Sequence, residues 1–368
     1  MKIVYIITKG TWGGAQNHLF HLIQDQVARN HEVELVVGET GRLVDEVRDK
    51  FPQVKIHHIS TLMNDLKLKN IFTTIYKLRK ILKHSHADIV HTHSTVAGAL
   101  GRISAIGLKS KVIFTVHGSS FTPGVGKKRE IFAKMVEKIL LPFTNKLIFV
   151  SKFDYNLWVS QFKKLKKSNK GIVIYNGVEN SVEKIKTSKR KYNNKLEICM
   201  AARFSPQKKQ ELLIKSIKNS PLENLVHVTF LGDGELLERC KLLGENNKAF
   251  SFKGAVQNVS KYYTNADIVA LISNFEGLPI SLIEALPLSK PLIASDVGGV
   301  SEIIYNNGFC VKNSEKSISD ALRQVIDHPS LLAKLGKNSY RLYEKYFKIE
   351  TMLNDTNKVY QELLKGKK

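Results

Sequence analysis

Cysteine is scarce in this chain. Its 368 residues hold only Cys199, Cys240 and Cys310, scattered with neither a disulfide-framework nor a zinc-ligand spacing. A disulfide-stapled fold is excluded, and the pattern fits a reducing compartment. Long apolar runs are missing too. No stretch approaches the ~18 uncharged apolar residues of a membrane-spanning helix, and the apolar start Ile3–Ile7 is broken by Lys9 and Gly10, too early for a secretory signal. The expected location is the cytoplasm. There is no internal repeat and no low-complexity tract. Acidic residues are in deficit, with 33 Asp and Glu against 57 Lys and Arg and a formal charge of +24. The imbalance is steepest in residues 51–178, which hold 22 basic and 5 acidic residues. Such a field attracts polyanions: nucleic acid, an anionic bilayer surface or phosphorylated small molecules. A solvated lysine-rich surface explains the charge equally well. No nucleic-acid-binding motif and no basic–aromatic interleaving accompany it.

What is present is a globular composition, 43% hydrophobic and 24% charged, on a length that suggests two domains. Short apolar β-branched runs alternate with helical periodicity. Lys2–Thr8, Glu32–Val37, Ile89–His91, Val112–Val116, Leu147–Val150 and Ile172–Tyr175 form a first series of strands. Glu197–Ala201, Val226–Leu231, Ala249–Lys253, Ile268–Ile272, Pro291–Ala294 and Gly308–Val311 form a second. Continuously apolar strands separated by helices indicate parallel sheets covered on both faces. The fold class is therefore α/β, with two doubly wound Rossmann-like parallel-sheet domains expected to face each other across a cleft. Their expected bounds are 1–178 and 196–344, with a charged linker at 179–195. The tail Tyr340–Leu364 has a helical pattern, and a segment of about 345–368 could pack back on the first domain.

Four segments carry candidate chemistry. Gly13 and Gly14 follow the first strand and open a helix, where glycines admit a ligand to the backbone and free N–H groups attract anions. A plain tight turn accounts for them nearly as well, since the full Gly-x-Gly-x-x-Gly pattern is absent. Arg203 and Lys208 flank a proline turn after the first strand of the second series and offer phosphate a planar fork and a point charge. An ordinary basic loop is the competing reading. Glu276, Gly277, Leu278 and Glu284 surround Pro279, a residue suited to the first position of a helix. Glu276 could accept bonds from sugar hydroxyls, or simply cap that helix. Gly298-Gly299 then follows another buried strand. In the first domain His117 ends a strand and precedes Ser119, while His91 and His93 end a second strand. Their His-x-His spacing suits a metal, but no acidic or cysteine partner is spaced to complete a site.

Taken in order, these segments resemble family 4 of the glycosyltransferases, nucleotide-sugar-dependent enzymes of the two-domain GT-B fold. The resemblance runs through Gly13-Gly14, His117, Val150-Ser151-Lys152, Tyr175-Asn176-Gly177-Val178, Arg203 and Lys208, Gly232-Asp233-Gly234, Ala266-Asp267, Glu276 with Glu284, and Gly298-Gly299 with Glu302. It implies that Arg203 and Lys208 hold the nucleotide diphosphate, Glu276 contacts the donor sugar and Glu284 the ribose. It implies further that His117 lies near the donor sugar, that Gly13 and Gly14 approach the phosphates, and that Gly277 and Leu278 share in donor binding. His93 and Ser119 are candidate acceptor contacts. Transfer with retained anomeric configuration, without metal or other cofactor, is implied as well, and no Asp-x-Asp occurs. The implied partners are a nucleotide-diphosphate sugar and a glycan or lipid-diphosphate-linked acceptor, with no nucleic acid. The implied setting is assembly of bacterial capsule, exopolysaccharide or another envelope glycan, peripheral to the inner face of the membrane. The helical pattern in Gly118–Leu141, with Ile131, Phe132, Met135, Ile139 and Leu140 behind Lys127-Lys128-Arg129, is a candidate for resting on anionic lipid or for burying its apolar side in its own domain. A nucleotide-sugar epimerase of the same fold and a basic nucleic-acid-binding protein are the competing readings. Four departures from the family pattern stand out, one being Ile272, where a proline usually precedes Ser273. Lys209 follows Lys208 where a glycine is usual, Gln16 replaces a frequent Glu, and Pro287 should shorten the helix after Pro279.

Overall fold

A computed structural model describes residues 1–64, 68–123, 126–180 and 195–365. Of the expected linker, 181–194 lies outside the described residues. The chain divides into two compact units, one formed by Met1–Asn176 with Glu350–Lys368 and the other by Gly177–Ile349.

Unit 1 is built on seven parallel strands: β1 (Lys2–Lys9), β2 (Glu32–Glu39), β3 (Lys55–His58), β4 (Ile89–His93), β5 (Lys111–Val116), β6 (Lys146–Phe149) and β7 (Gly171–Val173). Their order is β3-β2-β1-β4-β5-β6-β7. Ile3 pairs in register with Val33 on one side and Ile89 on the other. Ile3 to Ile7 are all fully buried, because helices cover both faces and leave no side for alternating polar residues. β3 was not expected from the sequence. Lys-Ile-His-His is polar because the strand sits at the sheet edge and is half exposed. The strand order reverses between β1 and β4, and such a switch point opens a crevice at the carboxyl ends of the strands. Gly13-Gly14, His93 and His117 all stand at those ends of β1, β4 and β5.

The tail differs from the single helix expected. Ser330–Leu342 is helical, Tyr343–Phe347 winds as a wider π-turn, Lys348 is extended, and a new helix runs Ile349–Lys365. Met352, Val359 and Tyr360 form its buried side, whereas Tyr346 is exposed. This last helix belongs to unit 1. The Tyr360 hydroxyl lies 3.1 Å from that of Tyr5 and 2.7 Å from His91 Nδ1, and Gln26 Nε2 donates to Asn357 Oδ1 at 2.7 Å.

Unit 2 has six parallel strands: β8 (Leu196–Ala201), β9 (Val226–Leu231), β10 (Phe250–Phe252), β11 (Ile268–Leu271), β12 (Leu292–Ser295) and β13 (Gly308–Val311). Their order is β10-β9-β8-β11-β12-β13, so the reversal falls between β8 and β11. The loops after these two strands carry Arg203, Lys208 and Glu276.

Candidate active site

The unit 2 loops at the switch point are stitched together by main chain. Lys209 N–H donates to Ile272 O at 2.8 Å and Asn274 N–H to Gln207 O at 2.8 Å, and Lys208 forms a bridge with Ser273. Gln207 Nε2 donates to Phe275 O at 2.8 Å. These bonds fix the two loops against each other, and the Lys208 ammonium meets the Glu276 carboxylate in an ion pair. The two side chains are only 15% and 7% exposed, so the pair is screened far less than one at the surface. Of the two adjacent lysines, Lys208 is the one bonded to Glu276. Arg203 sits on the same loop, exposed, and its guanidinium has no bonding partner among the described residues.

Two glycines permit this closeness. Gly298 adopts φ +57°, and a Cβ there would stand 1.8 Å from Glu276 O; Gly232, at φ +129°, would meet Ala202 O at 2.2 Å. Gly299 N–H in turn donates to Gly277 O at 2.9 Å. Below them Ser273 N–H donates to Ser295 Oγ at 2.9 Å, Ser295 Oγ to Asn313 Oδ1 at 2.6 Å, and Asn313 Nδ2 to Ser273 O at 2.9 Å. Glu276 is thus carried on a loop braced from three directions, the preorganisation a binding group requires.

The helix after Glu276 corrects one expectation. It spans only Ile280–Ile283, with Pro279 as its N-cap and Glu284 just past its end. Four residues make a single turn and a weak dipole, so this helix terminus offers little to an anion. Gly298–Glu302 is likewise a short 3₁₀ turn rather than a full helix. The Leu278 side chain is buried. Burial raises the Glu284 carboxyl from 4.5 to about 7, so the residue titrates near neutrality.

In unit 1, Gly13 is the N-cap of the helix Gly14–Ala28 and supplies no side-chain cap, leaving first-turn N–H groups without intrahelical partners. The Gln16 side chain lies against that end, its Oε1 3.0 Å from where a Cβ on Gly13 would stand, and its Nε2 donates to Lys9 O at 3.0 Å. Nearby is a histidine cluster. His117 Nε2 and His93 Nδ1 lie 3.0 Å apart, and the His18 ring stands 4.9 Å from that of His117, edge to face. His18 Nδ1 bonds Asn176 Oδ1 at 3.1 Å. Burial drives His91, His93 and His117 well below the usual histidine range and His18 to about 4. All four rings are therefore neutral at neutral pH and act as hydrogen-bonding groups rather than cations.

His18, His93 and His117 each bring a ring nitrogen within 4.8 Å of the others, which is the spacing of metal ligands. His93 and His117 already bond one another, and that bond would have to open first. The sequence reading missed His18, Asn176 as its partner, and Tyr360. His18 was hidden because it occupies a helix position next to Leu19 that periodicity assigns to the core. Ser119 is drawn into a separate buried network. Its hydroxyl donates to Asp154 Oδ1 at 2.7 Å and accepts from Trp158 Nε1 at 2.9 Å, and its N–H also donates to Asp154. The Ser119 hydroxyl thus holds the β5–β6 region together.

Sequence and fold comparisons agree on the family. The Glycosyltransferase Family 4 model matches residues 12–182 and the Glycosyl transferases group 1 model residues 181–342. The chain is 32% identical to the O-antigen biosynthesis glycosyltransferase WbnH of Escherichia coli over 89% of this chain and 90% of that protein. It is 27% identical to a UDP-Gal:alpha-D-GlcNAc-diphosphoundecaprenol alpha-1,3-galactosyltransferase of the same organism, over 91% and 90%. Among solved structures, Anabaena HepE in complex with UDP and glucose superposes with a TM-score of 0.79 at 17% identity, covering 98% of this chain and 99% of that one. Sucrose-phosphate synthase from Thermosynechococcus elongatus gives a TM-score of 0.83 at 16% identity, covering 99% of each. The two parallel-sheet units are those of the GT-B fold, and the chain belongs to glycosyltransferase family 4.

Proposed function

We propose that this glycosyltransferase moves a sugar, with retention of configuration, from a nucleotide-diphosphate sugar to a lipid-diphosphate-linked glycan during assembly of a bacterial surface polysaccharide, working at the inner face of the membrane. The observation that carries the donor half is the Lys208–Glu276 pair, two opposite charges held partly desolvated on braced loops. On donor binding, Lys208 turns to the diphosphate oxygens, and the released Glu276 carboxylate accepts bonds from sugar hydroxyls. As the C1–O bond to the diphosphate breaks, its electron pair moves to the leaving oxygen, while an acceptor hydroxyl oxygen bonds C1 on the same face and passes its proton to the departing diphosphate. Lys208 and Arg203 bring their cations to where that charge develops, an effect worth ~3–4 kcal/mol per donor in comparable anion sites. Within unit 1, neutral His117 and the Gly13-Gly14 helix terminus are candidate donor contacts, and His93 is a candidate acceptor contact. The acceptor half is supported by the relatives, one of which is named for a diphosphoundecaprenol-linked acceptor.

The test is a thermal-shift panel of uridine, guanosine and adenosine diphosphate sugars, followed by product analysis with a polyprenyl-diphosphate sugar. One donor is expected to raise Tm and to yield a product with unchanged anomeric configuration. Free nucleotide with an altered sugar and no acceptor dependence would instead mean an epimerase.

Glu284 adds a pH signature. Its folded pKa of about 7 lies above the ordinary 4.5, so the folded state holds this proton more tightly than the unfolded chain does. Its contribution to stability is fully present below about pH 4.5 and is lost as pH rises through about 7. If the ionised carboxylate receives the ribose hydroxyls, donor affinity runs the other way. It is expected to tighten about tenfold between pH 6 and 8, the ratio of ionised fractions for such a group. Calorimetric titration checks this, with Glu284→Gln expected to flatten the profile.

A further inference from the structure

Unit 1 carries an amphipathic helix turned outside in. Lys127–Leu140 buries Ala133, Glu137 and Leu140 and leaves Ile131, Phe132, Met135 and Ile139 exposed at 68, 63, 52 and 59%. A helix that faces only water does the reverse. The orientation is set by a buried ion pair in which Arg102 Nη1 and Nη2 reach the Glu137 carboxylate at 2.7 and 2.8 Å. Lys127, Lys128 and Arg129 open the helix in solvent. Its far end adjoins more positive charge. Lys170 Nζ donates to Leu141 O at 3.0 Å, just past the last residue of the helix. Of the two carboxylates on the helix itself, Glu130 is bonded to Lys134 and Glu137 is buried, so neither opposes the field.

We propose that this face of unit 1 seats on an anionic lipid bilayer, its exposed apolar side chains entering the headgroup region and its lysines meeting lipid phosphates. Charge complementarity selects that occupant. A second copy of the chain would bring two strongly basic faces together and be repelled. The inference rests on the reading of a lipid-linked acceptor, since docking here would keep the enzyme where that acceptor is anchored.

The experiment is flotation with acceptor-free vesicles of phosphatidylcholine, alone or with about one-third phosphatidylglycerol. Wild type is expected to float only with the anionic vesicles and to be released progressively by salt. Phe132→Glu with Ile139→Glu, both at exposed positions, is expected to lower the bound fraction at least tenfold, since each buried aromatic or aliphatic side chain contributes substantially to interfacial binding. Transfer to a water-soluble acceptor analogue should stay within about twofold, as for ordinary surface substitutions. Wild type that transfers sugar but does not float, or a double variant that floats normally, overturns the docking while leaving the enzymatic reading intact. Flotation without any sugar transfer does the opposite. A wild-type dimer that the double variant dissociates, with no flotation, would assign the face to a second copy and overturn the proposal.

Discussion

Replacing Arg203 with alanine is expected to lower kcat by about 10²–10³-fold, the loss seen when one fixed donor is removed from a developing anion. Its effect on Tm should be negligible. The two parts of this prediction come from separate observations. The guanidinium stands on the loop after β8, exposed and without a bonding partner among the described residues, so the folded state loses nothing when it goes. The same loop carries Lys208, whose ammonium is paired with Glu276, the pair proposed above to meet the donor's diphosphate and sugar. KM for the donor should move less than kcat, because the contact strengthens as the bond breaks. Arg203→Lys should recover part of the rate, keeping the charge but losing the bidentate fork. A steady-state assay of nucleotide release decides the matter, and near-normal turnover in the alanine variant would remove Arg203 from the mechanism. Lys208 is a less clean probe, since its removal also strands a nearly buried carboxylate.

Arg102→Leu is the substitution expected to damage the fold most. It leaves the Glu137 carboxylate buried with no counter-ion, a defect that typically costs about 3–5 kcal/mol. It also removes the bond from Arg102 Nε to Gly98 O at 2.7 Å and the stacking of the guanidinium 4.5 Å from the Phe114 ring. Adding Glu137→Leu should return most of the lost stability, because a buried pair replaced by packed apolar groups is often neutral or better. Both tryptophans, Trp12 and Trp158, lie in unit 1. Intrinsic fluorescence during urea unfolding therefore reports on that unit alone, where the midpoint of the single variant should fall and that of the double variant recover.

The parallel sheets were legible because each central strand is apolar on both sides. Ile3–Ile7 and Ile268–Leu271 read as strands without any neighbour in view. Lys55–His58 did not, since an edge strand lacks the second covered face that produces an apolar run. The chemistry on the unit 2 loops was legible for another reason, namely that phosphate and sugar binding need charged groups at strand ends, and those stand out in sequence. The helix after Pro279 ends sooner than its apolar pattern, which continues through Ala285-Leu286 while the backbone has already turned. The histidine cluster was half visible. His93 and His117 end strands, but His18 and Asn176 meet them through tertiary packing that spans 158 residues, and no local spacing encodes such a meeting. The side of Lys127–Leu140 that faces inward was likewise undecidable from periodicity, because it depends on an Arg far back in the chain at position 102.

The assignment of Glu350–Lys368 to unit 1 has a consequence for biosynthesis. Tyr5 and His91 are fully buried and share the Tyr360 hydroxyl, so the first unit stays unfinished on the ribosome until more than three hundred further residues past its second strand have been translated. At ~5–20 residues per second, the nascent sheet waits many seconds with the seat of its last helix open. The second unit, uninterrupted in sequence, is free to complete itself during that delay.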